Sequence, residues 1–418
     1  MAQTESQVAS LELEKVKQYM EVLFDSESPF WRWLSNASDD TIVSYRDIRV
    51  PMQIRPGGKY RSWDPEGGDL GRGEGDTYVH GTTRPVSRLL AIEWNWKTKY
   101  ATNKRVKAIR DAVRKNIANA VSEYNRAMDS ELVGSNNGVL ATVDSVSGTT
   151  VPFTGAFGSR RLRPGQSVQF YDAVTTGVGL GAYRGLGDIV TVDVESRTAE
   201  LAAAVTGLAA GDVAVVEGAA AASANPTAID AFNGVQQAND ASSTGSYLGL
   251  DRATYPELRG NKVDAGGSFT LAAPRAALRK IGNRLGKSAV MKLEWWCHPT
   301  QRDAYEDIGI LVSTIDKMPT GNQKMDLYFA EDGLQIAGHK MMTHYSWDTD
   351  RMDGLMKKCF HKIEIEKAKP LKVDDMGPIY SLYGSSGGIQ AANIWYMGGI
   401  SQFYCSKPSG LAYVDNLT

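Results

Sequence analysis

Gly384, Ser386 and Gly388 form a G-x-S-x-G run after the strand-like IYSLY stretch, where a sharp turn would expose a serine nucleophile. Such a serine needs a histidine to take its proton, and the fold built around that turn supplies it later in the chain. The last histidine here is His361. A glycine-rich strand turn is the plainer reading, with a serine hydrolase using Ser386 kept as an alternative. Gly177, Gly179 and Ala182 match the G-x-G-x-x-A of dinucleotide-binding units, and Asp193 or Glu195 follows where a ribose partner would stand. The chain then runs straight into DIVTVDV, a strand, so a phosphate would meet no helix N-terminus.

His80, His298, His339, His344 and His361 are scattered, and the pair His339 and His344 has poor spacing for a metal on a strand. Cys297 and His298 are adjacent, but neighbouring strand residues point to opposite faces. Cys297, Cys359 and Cys405 lack C-x-x-C spacing, so neither a disulfide framework nor a cysteine zinc site is indicated, and synthesis in a reducing cytoplasm is expected. The paired carboxylates Asp374 and Asp375, and Glu331 and Asp332, sit beside glycines and read as solvated turns.

The 418 residues exceed what one core usually holds, so two or more compact units are expected. Charged residues are 22% and hydrophobic ones 42%, ordinary for a soluble globular chain, and a net charge of -2 exerts no global pull on nucleic acid. The N-terminal stretch has acidic residues and no apolar core, so it is not a signal peptide, and no run reaches membrane-spanning length.

Leu11, Val16, Met20 and Leu23 predict a short amphipathic helix in an N-terminal arm, 1–41, followed by an apolar patch of Phe30, Trp31, Trp33 and Leu34. Trp31 and Trp33 are expected either to pack on their own domain or to meet a partner. From 42 to 97, strand-like alternation flanks a polar glycine-rich centre, which reads as one long hairpin. Each half holds about 28 residues and would reach roughly 90 Å at ~3.3 Å per residue. The expected radius of gyration of a compact domain is only about 19 Å. A bare two-stranded ribbon is marginal in water, so the hairpin is expected to lie on a neighbour. Its tip alternates Arg55, Lys59, Arg61, Asp64, Glu66, Asp69, Arg72, Glu74 and Asp76, suited to polar contact with another subunit.

Thr98 to Val133 has apolar residues on one face of a long helix, stopped by Gly134 to Gly138, and 98–145 opens a first domain. Short strand-like pieces with glycine turns from 146 to 224 predict a small inserted β-barrel or sandwich. GLDRATYPELRGN, Gly249 to Asn261, is an irregular connection in which Asp251, Arg252 and Arg259 are expected to fix local packing or a subunit seam. A helix entered at Pro274, the buried strand MKLEWWCHP and a helix capped by Thr300 follow, then further strands, within a mixed α and β region 225–418.

The order of these parts resembles the major capsid proteins of tailed bacteriophages with the Hong Kong 97 fold. The hairpin is similar to that family's extended loop, Thr98 to Val133 to its spine helix, and ALRKIGNRLG with MKLEWWCHPTQRDAYEDIG to its helix, strand, HPTQ, helix passage. The resemblance implies an α+β, Hong Kong 97-type capsid fold with N-terminal arm, extended loop, spine helix and a small inserted all-β domain. It implies a peripheral domain with the spine helix, an axial domain, and an extended loop lying on the adjacent subunit. It further implies hexamers and pentamers closing an icosahedral head around double-stranded DNA, which the inner face touches without sequence preference. A scaffolding protein, a portal and a decoration protein are the implied partners, with no membrane, no cofactor, no metal and no catalytic residue. The implied location is the virion, after assembly in the host bacterial cytoplasm. A cellular nanocompartment shell of the same fold is the alternative.

Overall fold

The computed structural model describes residues 28–36, 42–43, 47–62, 72–95, 106–134, 138–173, 180–222, 226, 229–315, 335–371, 379–383 and 389–417. The expected arm helix, Asp64, Glu66, Asp69, the Gly177 and Gly179 pair, both carboxylate pairs and Ser386 lie outside them. The chain divides into two compact units, Met1–Arg32 with Val86–Ser130 and Glu364–Ser401, and Trp33–Pro85 with Glu131–Ile363 and Gln402–Thr418.

In the first unit the strand Val86–Asn95 pairs antiparallel with Ile389–Cys405, Val86 opposite Ser401 and Asn95 opposite Ala392. This corrects the hairpin read from 42 to 97, because 86–95 belongs to a different sheet. Period-two alternation marks a strand but does not name its partner. Ile379–Tyr383 pairs antiparallel with the same long strand. The long helix is described from Val106 to Val133, and Ala120, Tyr124 and Met128, one turn apart, are buried. The Tyr124 hydroxyl donates to the Arg88 carbonyl at 3.4 Å, tying the helix to the sheet. Phe30 is fully buried in the short helix Pro29–Trp33, and the Trp31 N–H donates to the Asp129 carboxylate.

In the second unit the hairpin itself is Ile48–Arg55 paired with Thr77–Thr83, with Ile42–Val43 added beside Ile48 and Arg49. Ile48, Val50 and Met52 alternate inward and are buried. The Thr82 N–H points away from its hairpin partner to the Leu248 carbonyl at 2.8 Å. Alternation then leaves Pro51, opposite His80, among the pairs that exchange no ladder bonds, so its missing N–H costs nothing.

Six strands close into a barrel in the order Thr198–Leu201, Thr150–Thr154, Val139–Val143, Val213–Val216, Ser167–Ala173 and Leu180–Asp193. Val143, Val151, Phe153, Val168, Phe170, Ile189 and Leu201 fill it. Each such side chain contributes about 1.5–3 kcal/mol by burial. The barrel begins at Val139, ahead of the boundary expected at Val146, because the five residues Val139–Val143 are too few to show a period of their own. Ala182 lies within the strand Leu180–Asp193.

A six-stranded sheet runs Asn261–Gly267, Ala412–Leu417, Met352–Met356, Leu293–Cys297, His339–Thr343 and Gln335–Ile336. Its first two strands are parallel, as are Leu293–Cys297 and His339–Thr343. The helix Ala272–Leu285 packs on the sheet with Ala273, Pro274, Ala277, Leu278 and Ile281 buried, beginning two residues before the expected Pro274. Gly234 abuts the end of the long helix: a Cβ there would overlap the Gly134 carbonyl oxygen, so no larger residue fits without moving backbone.

Candidate assembly surfaces and the seam beneath them

The hairpin presents polar side chains to solvent on both its ascending and descending strands. Arg55, Lys59, Arg61, Arg72, Glu74 and Asp76 are all exposed. Tyr60 is completely exposed and Tyr78 is 61% exposed. One exposed carboxylate is tied to the stem: Asp76 accepts from the Gly57 N–H, from Gln53 Nε2 at 3.2 Å and from the Tyr78 hydroxyl at 3.1 Å. That bond and the Asp76 charge raise the Tyr78 pKa. Arg61 donates to the Arg72 carbonyl at 2.9 Å across the two sides. The ribbon is thus shaped by its own bonds, while Tyr60 and Tyr78 lie outside any core of the described chain.

The base of the hairpin rests on the segment Gly249 to Asn261 and the turn before it. Ser246–Tyr247 and Leu250–Asp251 form a small antiparallel pair, and Leu248 and Gly249 turn the chain at φ 50° and 74°. A Cβ on Gly81 would strike Leu248 and Met52, so the hairpin seats here through a glycine. Arg252 is buried and donates to Asp240 Oδ2 at 2.9 Å, to the Gln237 carbonyl and to the Leu258 carbonyl at 3.4 Å. Arg259 donates to the Arg252 carbonyl at 2.9 and 2.6 Å. Asp251 accepts from the Ala253 N–H and the Thr254 hydroxyl at 2.9 Å each, and these bonds lower its carboxyl pKa. All three side chains therefore bond within their own segment and its neighbours. Trp33 is engaged within the chain as well: its Nε1 donates to Glu294 at 2.5 Å, and it meets Trp296 edge-on at 5.5 Å between ring centroids.

Beneath these surfaces a buried polar seam joins the barrel to the six-stranded sheet. Arg161, on the barrel loop, donates to Asp348 at 2.8 Å, and Asp348 also accepts from Gln236. The Thr349 hydroxyl and N–H both donate to the Ala156 carbonyl, at 3.1 and 3.5 Å. Behind them Asp353, fully buried, accepts from Arg351 at 2.8–3.1 Å, from Asn239 at 2.7 Å and from Trp347 Nε1 at 2.9 Å. The Arg351 guanidinium lies 3.9 Å over the Tyr413 ring. Residue types alone do not mark this cluster. Its signal, three aspartates and an arginine directly after Trp347, looks like a solvated turn until the fold buries it.

The helix Pro299–Ile315 is capped differently from the expectation for Thr300. Nδ1 of His298 accepts the Thr300 N–H at 3.2 Å and lies 2.8 Å from the Thr300 hydroxyl, so the histidine is the capping side chain and Thr300 sits inside the first turn. Burial, then the nearby Arg160 charge and His344, push the His298 pKa down to about 4. The folded value lies below the ordinary 6.5, so above pH 6.5 both states are neutral. As pH falls from 6.5 toward 4 the unfolded chain takes up a proton that the folded chain refuses, and stability drops. Between pH 7.5 and 5 the expected loss is about 1–2 kcal/mol after allowance for solvent at the ring edge. Denaturation of the parent and of His298→Asn at both pH values checks this. The asparagine keeps a cap without titrating and should lose that increment, whereas an unchanged pH dependence would refute the assignment.

No protein-family model and no curated protein sequence matches the chain. Solved structures do. The capsid asymmetric unit of cyanophage A-1(L) aligns over 97% of this chain and 97% of its own, with a TM-score of 0.54 at 12% identity. The capsid of a native GTA particle aligns over 97% and 95%, at TM-score 0.48 and 8% identity. The holo-SrpI encapsulin of Synechococcus elongatus aligns over 100% and 96%, at TM-score 0.46 and 8% identity. The chain has the capsid fold of the Hong Kong 97 type, α+β, with the alignment to the cyanophage protein running nearly end to end.

Proposed function

We propose that this chain is the major capsid protein of a tailed bacteriophage, whose copies build an icosahedral head around double-stranded DNA. The observation that carries the reading is the near-complete alignment with a phage capsid subunit, extending through both compact units. The hairpin supports it independently. Its stem is ordered by its own hydrogen bonds, yet Tyr60 and a row of arginines and lysine stay outside the core, as a surface made for another copy would. The extended hairpin lies on the adjacent subunit, and the heterologous contacts close into hexamers and pentamers. Scaffolding, portal and decoration proteins, contact with DNA phosphates on the inner face, and assembly in the bacterial cytoplasm belong to the same reading. So does the absence of a catalytic step.

Electron microscopy of the purified or virion-derived protein tests it. Uniform closed shells are expected, and a stable monomer under every solution condition would sink the proposal. Shells loaded with an enzyme cargo in place of DNA would favour a nanocompartment. Labelling by a serine-directed phosphonate, lost in Ser386→Ala, would revive the hydrolase.

A further inference from the structure

The barrel has a surface of unusual composition. No lysine occurs between Lys115 and Lys262. Among the described barrel residues and their flanks, Asp144, Asp188, Asp193, Glu195, Glu200 and Glu217 are exposed, while Arg197 is the one exposed base. Along Leu180–Asp193, Leu186, Asp188 and Val190 point outward in alternation with buried Gly187 and Ile189. Leu186 is 44% exposed and Val190 47%, and Val194 continues the run into the following turn at 45%. Glu200 stands opposite Thr191 on the adjoining strand. The result is an aliphatic stripe with carboxylates beside it, open to solvent.

The hairpin stem has the complementary character. Arg55, Lys59, Arg61 and Arg72 are exposed around Tyr60 and Tyr78 and outnumber the exposed Glu74 and Asp76, the latter already bonded to Gly57, Gln53 and Tyr78. The acids Asp64, Glu66 and Asp69 are confined to the sequence beyond it. Tyrosine and arginine are the residues that carry interface energy, and an aliphatic strip gives the tyrosine rings something to cover. An acidic face repels nucleic-acid phosphates, which leaves a basic protein surface as its counterpart. Both surfaces are exposed in a single chain, so the pairing is between copies. Because the two patches are different, the contact is heterologous, the kind that closes rings.

Resting on the capsid reading, we infer that the Leu186, Asp188, Val190 and Glu200 face of the barrel is the docking surface for the Arg55 to Arg61 stem of a neighbouring copy's hairpin. The test is a charge swap. The double variants Lys59→Glu with Arg61→Glu, and Asp188→Lys with Glu200→Lys, are each expected to lower shell yield about tenfold or more, from like-charge contact across the interface. All four substitutions together should restore yield to within about threefold of the parent. Leu186→Ser with Val190→Ser, which changes no charge, should also lower yield. Thermal midpoints of the unassembled variants verify that each still folds, as exposed positions permit. If the parent forms shells while the charge-reversed pairs assemble equally well, or the fourfold variant stays as poor as either pair, the docking assignment is overturned and the capsid reading stands. If the parent itself forms no shell, it is the capsid reading that has failed.

Discussion

Asp353→Ala is expected to destabilise the unassembled protein by about 3–5 kcal/mol, the cost of leaving a buried guanidinium without its counter-charge. The carboxylate is fully buried and is the common acceptor of Arg351, Asn239 and Trp347. Removing it leaves three donors from separate parts of the chain facing a cavity, and Asn239 also donates to the Ala412 carbonyl, so the disturbance reaches the neighbouring strand. Asp353→Asn keeps one carbonyl oxygen and should cost less, although its amide brings N–H groups toward the same donors. Urea midpoints measured at constant slope report both values. A loss below about 1 kcal/mol for the alanine variant would mean that water replaces the carboxylate and that the seam is not a closed network.

Excision of residues 58–75, with Gly57 joined to Asp76 through a short glycine linker, is expected to abolish closed shells while leaving the subunit folded. The described residues on both sides of the excised tip are exposed or nearly so, and contribute little to their own core. The stability of the isolated chain should change by no more than about 0.5 kcal/mol. The cut must stop short of Thr77, because Val50 and Met52 pair with Gly81 and Val79 and would otherwise lose their cover. Electron microscopy and a thermal midpoint on the same preparation separate the two effects. Normal shells from this deletion would contradict the role given to the hairpin, and an unfolded product would show that the tip belongs to the subunit core.

The outcome at particular residues shows which kinds of information are local. The helix ending at Val133, the helix Ala272–Leu285 and the buried strand Leu293–Cys297 follow from spacing within a few turns of chain, and each stands where its periodicity places it. Arg252 and Asp251 carry a turn-and-anchor chemistry that residue type suggests. The Arg252 partners Asp240 and Gln237 are not legible in the sequence, because nothing in a pattern says which acceptor a guanidinium will find. Val190 lies in the strand expected at DIVTVDV, and only the exposure of Leu186 and Val190 makes them a surface.

The amino-acid sequence by itself determined the inventory: the order of helix, hairpin and short strands, the glycine turns between them, and the charged tip of the hairpin. The tertiary structure alone decided the pairings. Val86–Asn95 could not be assigned away from the hairpin until Ile389–Cys405 stood beside it, and Val139–Val143 could not be assigned to the barrel until the barrel closed. Asp348 and Asp353 became a seam and not a solvated turn only when Arg161 and Arg351 were brought to them. The physical reason is common to all three. Backbone period and side-chain polarity are properties of a residue and its near neighbours, whereas strand partners, burial and counter-charges are chosen among distant parts of the chain.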